Sequence, residues 1–168
     1  LLVLAAFVVQ LLGGRGSVPG WQQLRAVLGV PLQTEESAPQ TADGSTVVYV
    51  LDVGQGDAIL IRSGGNSVLV DTGNQDALLR QALARHHITR LDALVVTHPD
   101  DDHMGSLASL DGVVQVDRVL LARDGLACSC ASCAKLQQHA ETLVGKEQVE
   151  GLSQGDKFRL GAFEFTCV

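Results

Sequence analysis

At 168 residues the chain is long enough for one domain with a sizeable core. Hydrophobic residues make up 46% of it and aromatics only 4%, so the core is aliphatic, as in α/β proteins. A net charge of −7 excludes a generic basic nucleic-acid footprint, so any nucleic acid must be handled locally, through metal ions and a few basic residues.

Leu1 to Leu12 is apolar apart from Gln10. That is short of the roughly 20 residues a membrane-spanning helix needs. It reads either as a core helix or as the end of a membrane helix whose remainder precedes the given sequence. Residues 1–30 are therefore expected to be the end of a membrane-associated or apolar helical segment. Pro31 to Ser45 is polar and carries Pro, Ser and Thr, which reads as a linker. The folded domain is expected over residues 46–168.

Thr46 to Val53 is β-branched and continuous, and predicts a strand. Gly54-Gln55-Gly56-Asp57 follows as a tight turn. Strands are expected at Ala58 to Arg62 and Ser67 to Val70, joined by a hairpin turn at Ser63 to Asn66. Asp71-Thr72-Gly73 closes this meander. Asp76 to His86 has helical spacing, with Leu78, Leu79 and Leu83 on one face. His86 and His87 sit at its C-terminus, where they complement the helix dipole rather than bind a ligand. Leu91 to Val96 reads as a buried strand, Ser106 to Leu110 as a helix starting near Asp102 or His103, and Asp117 to Ala122 as a strand. A helix is expected over Ala134 to Leu143, and a final hairpin turns about Gly161.

The chemistry concentrates between Thr97 and His103 (THPDDDH), where two histidines and three carboxylates fall within six residues at a strand end. Carboxylates this close repel one another, and a divalent cation turns them into ligands. His and Asp together suit a first-row transition metal. The plainer alternative is a solvated acidic turn that caps the next helix.

His98-x-Asp100-x-Asp102-His103 resembles the HxHxDH motif of the metallo-β-lactamase superfamily, with Asp100 in place of the second His. Together with Leu51 to Ala58 (LDVGQGDA) and Val70 to Gly73 (VDTG), it is similar to the C-terminal domain of ComEC-type DNA-uptake proteins, over roughly Val47 to Val168. The resemblance implies an αββα sandwich with its C-terminal portion absent. It implies two divalent metals, Mn²⁺ favoured and Zn²⁺ the alternative, because Asp100 hardens the first site. His98 and Asp100 would serve one ion, and Asp102 and His103 the other. Asp102 and Asp71 are the expected catalytic carboxylates, Asp71 by orienting a ligand histidine. Asp57 and Gln55 are weaker candidates, because the GQGD turn is equally well purely structural.

The implied function is a metal-dependent nuclease or phosphodiesterase that degrades the non-imported strand during DNA uptake. The alternatives are a hydrolase of another phosphodiester or envelope substrate, and a non-catalytic DNA-binding domain. Implied partners are single-stranded DNA and the membrane channel portion of the same polypeptide, with no small-molecule cofactor. The implied place is the cell membrane, with this domain on the extracytoplasmic side. The family's later ligands lie downstream of the first motif, and His139 is the only histidine after His103. The given residues are therefore expected to carry half a binuclear site and to be inactive alone.

Cys128, Cys130 and Cys133 form CxCxxC, and Cys167 stands apart. The spacing is not a standard zinc ribbon. A local disulfide staple is the leading reading, with free thiols and a metal site as alternatives.

Overall fold

The computed structural model of the chain describes residues 45–161 and 163–168. The readings for residues 1–30 and for most of the 31–45 linker lie outside the described residues. The main sheet has six strands in the order β1-β2-β3-β5-β7-β8: β1 (Thr46–Val50), β2 (Ile59–Ser63), β3 (Asn66–Val70), β5 (Ala93–Val96), β7 (Val119–Ala122) and β8 (Val149–Leu152). The first three form the expected antiparallel meander, and β3, β5, β7 and β8 run parallel. Helix α1 (Asp76–Arg85) precedes β5, and α2 (Asp101–Met104) follows it; α3 (Arg123–Ala127) and α4 (Ala131–Val144) join β7 to β8.

Strand side chains alternate between faces, and the two faces carry separate apolar clusters. Leu60, Leu69, Leu94 and Leu121 pack on one face with Leu79 and Leu83 of α1 and Leu136 and Ala140 of α4. Their neighbours Val68, Ala93 and Leu120 point the other way. There they meet Phe158, Leu160 and Phe165 of the hairpin β9 (Lys157–Leu160) and β10 (Phe163–Thr166). A helical layer, the main sheet and a second small sheet are thus stacked, which is the expected α/β sandwich in part. Each fully buried leucine contributes about 2 kcal/mol, which is why an aliphatic sequence suffices to hold it.

Several elements differ from the sequence reading, for local reasons. Strand β1 stops at Val50, because Leu51 and Val53 turn into the core and the Leu51 N–H bonds Ala58. The LDALVV run is split at Asp92. Its first part, β4 (Arg90–Leu91), pairs with β6 (Gln115–Val116) in a separate ribbon. Asp92 then bonds Ser67 twice, through its N–H at 2.9 Å and its carboxylate at 2.7 Å, and hands the chain to β3. Instead of one helix after the motif there are two short pieces, α2 and a 3₁₀ turn at Leu107–Leu110.

The C-terminus of α1 matches the reading of His86 and His87 as helix-end residues. His87 adopts φ 53°, its N–H bonds Ala84 at 3.0 Å, and the Ile88 N–H bonds Leu83 at 2.9 Å. This is the double hydrogen-bond pattern that ends a helix through a left-handed residue, with Ile88 and Leu83 sharing the core. Burial and the nearby Arg62, Arg85 and His87 lower the pKa of His86. Glycine fits the left-handed position without the Cβ penalty. His87→Gly is expected to raise stability by about 0.5–1 kcal/mol in urea unfolding, the relief of strain exceeding the extra chain entropy.

Candidate metal centre

Parallel neighbours bring their C-terminal loops side by side, and the site is built from the loops after β3 and β5. Asp71 follows β3, and its N–H bonds Val95 at 2.8 Å. It holds φ 58°, a strained value for a residue with a Cβ. That twist turns the side chain inward, where only 3% of the residue is exposed. Its carboxylate accepts from the Thr97 N–H at 2.8 Å, the Thr97 hydroxyl at 2.6 Å and His103 Nδ1 at 2.9 Å.

The donor roles follow by valence. The carboxylate only accepts, so His103 carries its proton on Nδ1 and leaves Nε2 free as a donor to a metal. The Thr97 hydroxyl has one hydrogen and gives it to Asp71. Its 2.9 Å contact with His98 Nδ1 must then be one in which the imidazole donates. Asp71 thereby sets both ring tautomers, one directly and one through Thr97. Sequence reasoning had Asp71 but missed Thr97, whose only signal was its place immediately before His98.

His98, Asp102 and His103 offer ligand atoms that all lie within 4.8 Å of one another. The two rings are 3.8 Å apart between centroids. Asp100 falls outside this three-donor group, but its carboxylate is 3.5 Å from His98 Nε2, with the side chain 70% exposed. Two imidazole nitrogens freed by their tautomers and a carboxylate between acidic neighbours fit a divalent first-row cation. The hydrogen bond His103 donates to Asp71, followed by the charges of Asp71, Asp102 and Asp57, raises the His103 pKa against partial desolvation. Beside the donors opens a cavity of about 550 Å³, lined by Gln55, Asn74, Asp100, Asp101, Asp102 and Lys135 among others. Lys135 reaches in from α4 and pairs with Asp101 at 3.1 Å.

Backbone bonds lace the upstream motifs to this loop. Thr72 donates its N–H (2.7 Å) and hydroxyl (3.1 Å) to the His103 carbonyl, and Gly73 accepts from the Ser106 N–H. The Asp57 N–H bonds the Asp102 carbonyl at 3.3 Å. Gly56 has φ 100°, and a Cβ there would sit 1.7 Å from the Asp102 oxygen. The GQGD turn is thus a backbone brace for Asp102; Asp57 and Gln55 remain exposed at its edge.

The other candidates lie elsewhere. His139, half-buried on α4, belongs to no ligand group among the described residues. All four cysteines are free thiols. Cys128, Cys130 and Cys133 converge within 4.8 Å, while Cys167 is not among them. The Cys133 N–H and the neighbouring thiols lower the pKa of Cys130 to about 7, and the thiols of Cys128 and Cys130 push Cys133 up to about 12.

Three outcomes are expected. Thr97→Val, which keeps the shape and removes the relay, weakens metal binding by about 10–100-fold in calorimetry. Metal affinity falls by about tenfold per pH unit once the pH drops through the raised His103 pKa, above 6.5, because proton and metal compete for Nε2. Gly56→Ala costs about 2–5 kcal/mol in stability through the clash with Asp102 and the left-handed φ.

Known proteins share this fold. Residues 51–126 match the family model described as the metallo-beta-lactamase superfamily. The chain is 33% identical over 113 residues to competence protein ComA of Neisseria gonorrhoeae, an alignment covering 66% of this chain and 16% of that protein. In fold it is similar to the metallo-β-lactamase SMB-1 bound to 2-mercaptoethanesulfonate (TM-score 0.52, 19% identity, 70% of this chain and 48% of that one). It is also similar to rubredoxin oxygen:oxidoreductase from Desulfovibrio gigas (TM-score 0.52, 19% identity, 71% and 31%). The chain thus spans less than half of these structures and about a sixth of the curated relative. A lactamase and an oxidoreductase share this backbone, so the fold does not choose the reaction. The described residues thus adopt the metallo-β-lactamase fold, and the sequence is similar to a competence protein over 113 residues.

Proposed function

We propose that this domain is a metal-dependent phosphodiesterase, a nuclease that degrades the non-imported strand during DNA uptake. The observation that carries the reading is the convergence of His98, Asp102 and His103, with Asp102 also lining an open acidic cavity that holds one lysine, Lys135. The similarity to a protein named as a competence protein supports DNA as the substrate.

His98 and His103 would hold a cation through Nε2, and Asp102 would supply the anionic oxygen. Asp100 lies within reach of His98 and would extend the site toward a second ion, with Mn²⁺ favoured by the added oxygen donor and Zn²⁺ the alternative. The chemistry such cations supply is activation of water at neutral pH and polarisation of a phosphoryl oxygen. Asp71 keeps both rings fixed while the cavity admits the substrate. Lys135 gives the cavity wall a cation to meet a phosphate, once Asp101 releases it. The overall negative charge disfavours long-range attraction of DNA, so the strand would be delivered by a tethered partner. We place that partner in the membrane channel portion of the same polypeptide, joined through residues 31–45, with this domain on the extracytoplasmic side. Among the described residues no helix is long and apolar enough to cross a membrane.

The test is cleavage of single-stranded DNA by the longest natural polypeptide containing this domain, in Mn²⁺, Zn²⁺ or chelator, beside Asp102→Asn and His103→Ala. Metal-dependent cutting is expected, reduced at least about 100-fold in both variants. Bound metal without cutting would redirect the reading to other phosphodiesters. A protein that binds no metal would overturn it in favour of a DNA-binding domain.

A further inference from the structure

A second cluster of metal-ligating side chains lies outside the centre described above. Cys128 follows the last residue of α3, Cys130 is the residue that caps α4, and Cys133 sits in the first turn of α4. Their three sulfurs lie within 4.8 Å of one another, and no two are joined. Backbone N–H groups already point at two of them: Cys130 N–H at Cys128 Sγ and Cys133 N–H at Cys130 Sγ, both at 3.4 Å. Such bonds favour thiolates over thiols, since they place donors where negative charge would sit. Around a tetrahedral Zn²⁺ with Zn–S bonds near 2.3 Å, sulfurs stand about 3.8 Å apart. The observed convergence within 4.8 Å comes to within about 1 Å of that spacing. Two of the residues are exposed, and Cys133 is buried at 7% exposure, so the cluster has an open side and an anchored side.

We propose that Cys128, Cys130 and Cys133 form a three-thiolate site for Zn²⁺, separate from the histidine centre and independent of the nuclease reading. Soft thiolates select Zn²⁺ or Cu⁺ over the hard cations suited to carboxylates, so the two centres discriminate between metals by ligand type. Binding releases the three thiol protons to solvent and forms three Zn–S bonds with no change of oxidation state. The fourth position is left to solvent or an added ligand, since Cys167 belongs to another part of the fold. The site would pin the start of α4 to the end of α3. Cys133 also lines a cavity of about 110 Å³ together with Thr97, His98 and Leu136, so the pinned turn forms part of the wall behind His98.

The experiment titrates reduced protein with Co²⁺, a spectroscopic stand-in for Zn²⁺, under anaerobic conditions. A thiolate-to-cobalt charge-transfer band in the near ultraviolet is expected, with loss of the band when Zn²⁺ is added. Cys128→Ser/Cys130→Ser changes only exposed positions and is expected to abolish the band while keeping the far-ultraviolet dichroism of the parent. His98→Ala/His103→Ala is expected to retain it. Absence of the band in the reduced parent overturns the proposal, as does its persistence in the cysteine variant. A disulfide within the trio that re-forms in the presence of Zn²⁺, seen by mass spectrometry, overturns it as well.

Discussion

The centre depends on one buried carboxylate. The Asp71 side chain accepts three hydrogen bonds inside the protein and has almost no contact with water. A buried charge without partners would cost several kcal/mol, so the loops after β3 and β5 are held where Thr97 and His103 satisfy it. The left-handed backbone at Asp71 is the strain that aims it there, and the parallel pairing of Val70 with Val95 fixes the distance between the two loops. In return the carboxylate decides which nitrogen of each imidazole faces outward.

Around that carboxylate the upstream motifs act through their backbones. Thr72 holds the His103 carbonyl with two bonds, and the turn containing Gly56 lies against the Asp102 carbonyl with no room for a side chain. The segment following β3 and the turn following β1 therefore fix the position of a loop that comes after β5. The acidic cluster itself is mostly exposed and contributes little to holding the fold. It is the braces, not the ligands, whose loss should loosen the domain.

Much of this was legible in the sequence, because strands that bury one face alternate and turns need glycine. The THPDDDH stretch was readable as a cluster of ligand-type side chains, and Asp71 as its support. Helix α1 followed from periodicity, and the strands of the meander from β-branched runs between Gly-rich turns. What was not legible depends on tertiary pairing. Asp92 splits a continuous apolar run because its carboxylate finds the Ser67 N–H, 25 residues away. The helix expected over Ser106 to Leu110 became a 3₁₀ turn that starts after Ser106, whose N–H is tied to Gly73. The part played by Thr97 needs the position of Asp71, which no local pattern supplies. The sequence favoured a disulfide staple for the cysteines; the structure instead brings Cys128, Cys130 and Cys133 together as free thiols, a convergence that spacing alone does not show.

The most direct test of this account is nitrogen-edited NMR of the histidine side chains in the metal-free protein, above the pKa of His103. His98 and His103 are both expected to be protonated on Nδ1 with Nε2 bare, and His98 to lose that preference in Thr97→Val while His103 keeps it. Rings protonated on Nε2, or a His98 indifferent to the loss of the Thr97 hydroxyl, would contradict the claim that Asp71 organises the centre.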